Sequence, residues 1–206
     1  MERMLTLVRH GQSEGNARNI FTGWLDLPLT DQGVREAEAA GQSLRAGGLG
    51  FGSVYTSALG RAKETSRIIL DELGLPDLTP VVTTALNERD YGELAGLNKD
   101  EAITRWGKEQ VHSWRRSYEV APPGGESLRE TTARVLLFFL HDILPAVLSG
   151  SGVLVVAHGN SLRALVMALD SLDAPAVEQL EIATGEILVY RFDADARVLA
   201  KEQRRA

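Results

Sequence analysis

Two separate apolar runs in this chain each end in histidine and glycine, and no other feature constrains the fold as tightly. The first run is Met4-Leu5-Thr6-Leu7-Val8, followed by Arg9-His10-Gly11. The second is Val153-Leu154-Val155-Val156-Ala157, followed by His158-Gly159-Asn160. Both are continuously apolar and rich in Val and Leu, so they read as buried parallel strands. In an open α/β sheet, ligands bind beyond the carboxyl ends of the strands. The two units therefore deliver two imidazoles to one crevice. Arg9 beside the first imidazole points to chemistry on an anion.

The rest of the pattern alternates strands and helices. The strand at 4–9 runs into a polar loop at 11–28. Thr30 caps a helix with Val34, Ala37, Gly41 and Leu44 on one face. The glycine run at 47–52 lacks GxGxxG spacing and precedes a strand, so it reads as a loop. Residues 54–56 form a short strand. Ser57 then opens a helix to about residue 73, with Ala62, Thr65, Ile69 and Leu73 inward; 79–83 is a further candidate strand. Residues 86–125 are polar and irregular, hold two of the three tryptophans and end in Pro122-Pro123-Gly124-Gly125. Such a segment is often functional or a lid. Ser127 and Glu130 form a capping box for a helix with Val135, Phe138, Phe139 and Leu144 on its core face. A helix at 161–169 follows the second strand–His–Gly unit, and 187–192 with 197–201 read as a closing strand pair. The expectation is an α/β three-layer sandwich, with a mostly parallel central sheet flanked by helices. At 206 residues, one domain over 1–206 is the default.

Composition excludes several function classes. The absence of Cys rules out disulfides, thiolate zinc sites and cysteine nucleophiles, and fits a reducing compartment. The apolar run after Met1-Glu2-Arg3 is too short for a signal peptide. No stretch is expected to span a bilayer. A cytoplasmic protein without a membrane partner is therefore expected. The net charge of −6 argues weakly against nucleic acid as a partner. It leaves a phosphorylated small molecule open, because local cations set the field inside a cleft.

Several residues are candidates for chemistry on such an anion. A neutral imidazole is a good nucleophile near neutral pH, and it can attack with one nitrogen while the other donates to a carbonyl. Gly11 lets the backbone approach closely, and Arg9 brings a fixed charge on a planar fork. Alone, His10 would read as a satisfied histidine at a strand end; the matching His158-Gly159-Asn160 argues for a site. The amide of Asn16, the hydroxyl of Thr22 and the N–H of Gly23 suit phosphate oxygens, although each alone is a common turn residue. Arg61, at the start of a helix, is otherwise a surface arginine. Glu88 lies in Leu86-Asn87-Glu88-Arg89-Asp90-Tyr91-Gly92. A carboxylate beside cations and a phosphate can serve as general acid and base, whereas an isolated Glu is usually solvated. Lys99, Arg115 and Arg116 add cations from the irregular segment. A basic pair is commonly a solvated face, but this one adjoins Trp114 and Tyr118. His112 and His141 follow no strand and read as structural or surface residues. Metal-ligand spacing is absent, so no metal is expected.

Together these residues resemble the histidine phosphatase superfamily, marked by Arg-His-Gly at the end of the first strand. Phe21-Thr22-Gly23-Trp24, Asn87-Glu88-Arg89-Asp90-Tyr91-Gly92, Leu97-Asn98-Lys99 and Trp114-Arg115-Arg116 narrow the likeness to its 2,3-bisphosphoglycerate-dependent phosphoglycerate mutase branch. The resemblance covers nearly the whole chain. It implies that His10 is the phosphorylated nucleophile and Glu88 the proton donor and acceptor. Arg9, Arg61 and His158 would hold the transferring phosphoryl group. Asn16, Thr22, Gly23, Tyr91, Lys99, Arg115, Arg116, Gly159 and Asn160 would bind the rest of the substrate. It further implies ping-pong interconversion of 3-phosphoglycerate and 2-phosphoglycerate, with 2,3-bisphosphoglycerate as primer and intermediate and no metal.

One departure accompanies the resemblance. The path from Arg116 to the 127–148 helix is short, and the chain ends soon after its last strand with Arg204-Arg205-Ala206. The chain looks like a short form of the family, which leaves its assembly open, a homo-oligomer among the arrangements allowed. A phosphatase on the same fold, with water as acceptor, is the alternative activity. Lys99, Arg115 and Arg116 suit a small, fully ionised phosphoglycerate better than a broad phosphatase substrate. A non-catalytic phosphate sensor is disfavoured by the presence of both histidines and Glu88.

Overall fold

A computed structural model of the chain describes residues 3–204. Residues 1–2 and 205–206, including the Arg205 noted above and both ends of the expected 1–206 unit, lie outside the described residues. The elements in chain order are β1 (Arg3–Arg9), α1 (Glu14–Ala17), α2 (Asp31–Ala46), β2 (Ser53–Ser57), α3 (Gly60–Leu73) and β3 (Val81–Thr83). Next come α4 (Lys99–Trp106), α5 (Lys108–Arg116), α6 (Leu128–Phe138), a π-helical turn (Phe139–Ile143) and α7 (Leu144–Leu148). The chain continues through β4 (Val153–Ala157), α8 (Gly159–Leu169), α9 (Ala174–Gln179), β5 (Ile187–Phe192) and β6 (Val198–Arg204).

The strands form one sheet in the order β3-β2-β4-β1-β5-β6. The first four strands in that order run parallel; β5 and β6 are antiparallel to their neighbours. Parallel pairing needs crossovers, which the helices supply. β1 and β4 are neighbours in register, with Arg9 opposite Ala157, so the two strand–His–Gly units end side by side.

Alternation along the strands divides the core. Leu5, Leu7, Val153 and Val155 face α6, α7 and α8, where Val135, Ile143, Val147 and Leu165 are buried. Met4, Val8, Leu154 and Val156 face the other way, onto Ala40 and Leu44 of α2 and Ala62 and Ile69 of α3. This gives the expected three layers. Each such buried side chain stabilises the fold by roughly 1.5–3 kcal/mol before entropy.

Four sequence expectations need correction. The helix expected from Ser57 begins at Gly60, with Leu59 at its N-cap, because Ser57 completes β2; its hydroxyl bonds to His158 and accepts the Leu59 N–H rather than an N–H of the helix. The segment 86–125 is not irregular throughout. It holds α4 and α5, which enclose a small core of Phe21, Leu94, Ala102, Val111 and Trp114. The core stripe after residue 127 is Val135, Phe139, Ile143 and Val147, because the π-helical turn shifts the phase; Phe138 and Leu144 are only partly buried. Finally, Leu128–Leu148 is 21 helical residues of hydropathy 1.5, enough by length and composition to cross a membrane. Its buried stripe and the hydrogen-bonded Arg134 within it fit a helix packed on a sheet. α9 was not expected from the sequence.

Candidate active site

The cleft opens where β1, β2 and β4 end. Arg9, His10, Asn16, Thr22, Gly23, Arg61, Glu88, Tyr91, Lys99, Arg115, Arg116, Gly159 and Asn160 line it. His158 is fully buried, its ring centroid 4.8 Å from that of His10. The structure thus brings together every residue singled out for the site. His112 and His141 are exposed and lie elsewhere.

Backbone geometry fixes which nitrogen of His10 can react. Its Nδ1 lies 2.6 Å from the carbonyl oxygen of Gly11. A carbonyl only accepts, so Nδ1 carries the proton and Nε2 keeps its lone pair. Burial, then the charges of Arg61 and Arg9, hold the His10 pKa well below its usual value. The ring is therefore neutral at neutral pH. The loop is braced by the Gly11 N–H, which donates to Thr65 Oγ1 of α3 at 3.1 Å. It is also packed too closely for a side chain: a Cβ on Gly11 would stand 2.1 Å from the oxygen of Gly33.

His158 caps the start of α8, and Ser57 Oγ lies 2.6 Å from its Nε2. Burial, then Arg61, push its pKa well down too. The guanidinium of Arg61 donates to the carbonyls of Leu25 and Gly23, each at 2.8 Å, and so holds the Thr22-Gly23 loop against the cleft. Arg9 donates through Nη1 to Ile182 O at 2.6 Å, while its buried Nε has no partner among the described residues. A buried, unpaired guanidinium N–H is costly unless an anion completes it.

Glu88 is nearly buried. Its Oε1 accepts the N–H of Arg89 at 2.8 Å and that of Asn160, in the first turn of α8, at 3.1 Å. These two bonds leave Oε2 for proton exchange. The second end of the cleft is cationic. Lys99 and Arg116 both sit below their usual pKa, through burial first and the charge of Arg115 second. Such mutual repulsion is relieved by a bound anion. Arg116 pairs with Glu181 at the rim. Asn160 Nδ2 donates to the Tyr91 hydroxyl at 3.3 Å, and Asn16 Oδ1 accepts from Ser13 at the start of α1.

Five further residues serve the site without having been expected there. Ser57 holds His158. Trp24 Nε1 donates to Glu88 O at 2.6 Å. Arg163 donates to Asn160 Oδ1 at 2.9 Å and fixes that amide. Arg89 Nη2 donates to the carbonyls of Trp114 and Arg115, each at 2.7 Å, joining the Glu88 segment to α5. Arg134 holds the backbone around Glu88. None of the five was marked as a site residue by its spacing: Ser57 read as a helix start, and it is the structure that places it at the end of β2, beside the two histidines. Among the described residues, no group of three or more His, Cys, Asp or Glu is gathered as metal ligands.

Residues 5–203 match the model of the histidine phosphatase superfamily (branch 1). A protein of Methylobacterium sp. (strain 4-46), named 2,3-bisphosphoglycerate-dependent phosphoglycerate mutase, is 59% identical over 98% of this chain and 97% of its own. A protein of the same name from Mesorhizobium japonicum is 58% identical over 98% of each. Among solved structures, a mycobacterial glucosyl-3-phosphoglycerate phosphatase in complex with VO3 superposes with a TM-score of 0.80. It is 26% identical over 98% of both chains.

Proposed function

The chain belongs to the histidine phosphatase superfamily, and from that premise we propose that it interconverts 3-phosphoglycerate and 2-phosphoglycerate through a phosphohistidine at His10. The observation that carries this reading is one cleft with two anion-binding ends. His10, His158, Arg9 and Arg61 form the reacting end; Lys99, Arg115 and Arg116 form the other. A substrate with a phosphoryl group at one end and a carboxylate or second phosphoryl group at the other suits that layout.

In this mechanism, His10 Nε2 attacks a phosphoryl group of 2,3-bisphosphoglycerate, the primer. Arg9, Arg61 and His158 stabilise the charge on the transferring oxygens. Glu88 gives a proton to the departing oxygen. The phosphohistidine then transfers its group to 3-phosphoglycerate while Glu88 takes the proton of the accepting hydroxyl. The bisphosphorylated product turns within the cleft and returns its other phosphoryl group to His10, which leaves 2-phosphoglycerate. Lys99, Arg115 and Arg116 hold the far end throughout.

Two arginines at the reacting end meet the need for charge neutralisation, so the reading requires no metal. Its setting is the cytoplasm, consistent with the absence of cysteine. A coupled assay for 2-phosphoglycerate in EDTA, with and without 2,3-bisphosphoglycerate, tests it. Primer-dependent isomerisation in EDTA is expected. Release of inorganic phosphate alone would favour a phosphatase, and restoration by manganese would show a metal requirement.

A further inference from the structure

Arg134 does not line the cleft, yet its guanidinium joins the backbone that carries Glu88 to the Glu126 carboxylate. Nη1 donates to the carbonyls of Ala85 at 2.9 Å and Asn87 at 3.0 Å, and Nη2 to that of Glu88 at 2.9 Å. Glu126 holds the other edge of the fork, with Nε to Oε1 and Nη2 to Oε2 both at 2.8 Å. Glu126 also reaches past Glu88. Its Oε2 accepts the N–H of Asp90 at 3.0 Å, and its own N–H donates to Asp90 O at 2.9 Å. Residues 85–90 are thus fixed on both sides of Glu88 from α6 and the loop before it. At the carboxylate itself, Arg89 N–H moves with Glu88, so among the described residues Asn160 N–H is the one hydrogen-bond anchor from another segment.

We propose that Arg134, braced by Glu126, is a positioning residue that sets the distance between the Glu88 carboxyl and the leaving oxygen. The inference rests on the proton-transfer role of Glu88 given above. A general acid must come within roughly 2.6–3.2 Å of the atom it protonates. A shift of about 1 Å in a reacting group can cost on the order of 100-fold. A planar fork that grips three carbonyls and a carboxylate fixes the segment's rotation as well as its distance. An ammonium on a flexible stem cannot do both.

The test measures the rate of His10 phosphorylation from two donors. One is 2,3-bisphosphoglycerate, an alkyl phosphate whose leaving oxygen needs a proton. The other is p-nitrophenyl phosphate, whose leaving group departs without one. Loss of Glu88 placement slows only the first; a generally loosened site slows both. Arg134→Met should slow the alkyl donor by about 10-fold or more and the aryl donor by less than about 3-fold. Arg134→Lys should fall between wild type and Arg134→Met. Trp24→Phe, which removes the other donor to Glu88 O, should show the same selectivity in a milder form. In a Glu88→Gln background, Arg134→Met should cost nothing further, since the proton is already lost. Equal losses with both donors, or an additive loss in the Glu88→Gln background, would overturn the proposal. An impaired Glu88→Gln beside an unaffected Arg134→Met would overturn the positioning role alone. An unimpaired Glu88→Gln would overturn the role of Glu88 and this inference together.

Discussion

At the scale of single residues, the account depends on one neutral imidazole and one carboxyl group. Glu88→Gln keeps the shape and the acceptor for the Arg89 and Asn160 N–H groups, but cannot exchange a proton. Its turnover should fall by roughly 10²–10⁴-fold at unchanged thermal stability, read by coupled assay and circular dichroism. A variant within about threefold of wild type would place the proton elsewhere. The buried histidines also set the pH dependence of stability. Folding lowers the pKa of His10 and His158, so the unfolded chain binds more protons below about pH 6.5. Stability is therefore present above that pH and declines below it. The limiting slope is about 1.4 kcal/mol per pH unit for each histidine. His158→Asn should unfold in urea with a shallower loss between pH 7 and 5 than wild type; identical slopes would contradict the burial argument. His10, His158 and Arg9 were legible in the sequence because each sits at the end of an apolar run. Ser57, Arg134 and Arg163 were not, because each acts on another side chain or on backbone that is distant or buried, and spacing does not encode that.

At the scale of elements, α5 matters most for the distinction between transferring to a hydroxyl and transferring to water. Its last turn carries Arg115 and Arg116, and Arg89 ties its final carbonyls to the Glu88 segment. The distal cations and the acid are thereby held as one piece. Replacing both arginines with Ala should release the bisphosphorylated intermediate before it turns. Each lost charge-assisted hydrogen bond costs roughly 1.5–3 kcal/mol, enough to shorten residence tenfold or more. The ratio of isomerisation to 2,3-bisphosphoglycerate hydrolysis should fall markedly, and an unchanged ratio would remove α5 from substrate retention. The sequence showed the cations here but not the helices. α4 and α5 are 8 and 9 residues long, too short for a clear periodic signal, and their apolar face packs on Phe21 and Leu94 from distant segments. The capping box at Ser127 was visible, whereas the π-helical turn that shifts the buried stripe after it was not.

At the scale of the whole molecule, strand–helix alternation gave the three layers, and the two strand–His–Gly units gave the site's location. The sheet order adds what alternation cannot specify: β1 and β4, nearly 150 residues apart in sequence, are neighbours. That single pairing brings His10 and His158 into contact. A chain of net charge −6 then gathers Arg9, Arg61, Lys99, Arg115 and Arg116 in one cleft, so the local field opposes the global one. The measurement that bears most directly on this arrangement is a pulse and chase. The protein is incubated with 2,3-bisphosphoglycerate carrying labelled phosphoryl groups, freed of excess, and mixed with unlabelled 3-phosphoglycerate. The account predicts an acid-labile label on His10, absent from His10→Ala, that passes on mixing into bisphosphoglycerate and 2-phosphoglycerate. Label on another residue, or a chase that yields only inorganic phosphate, would contradict it.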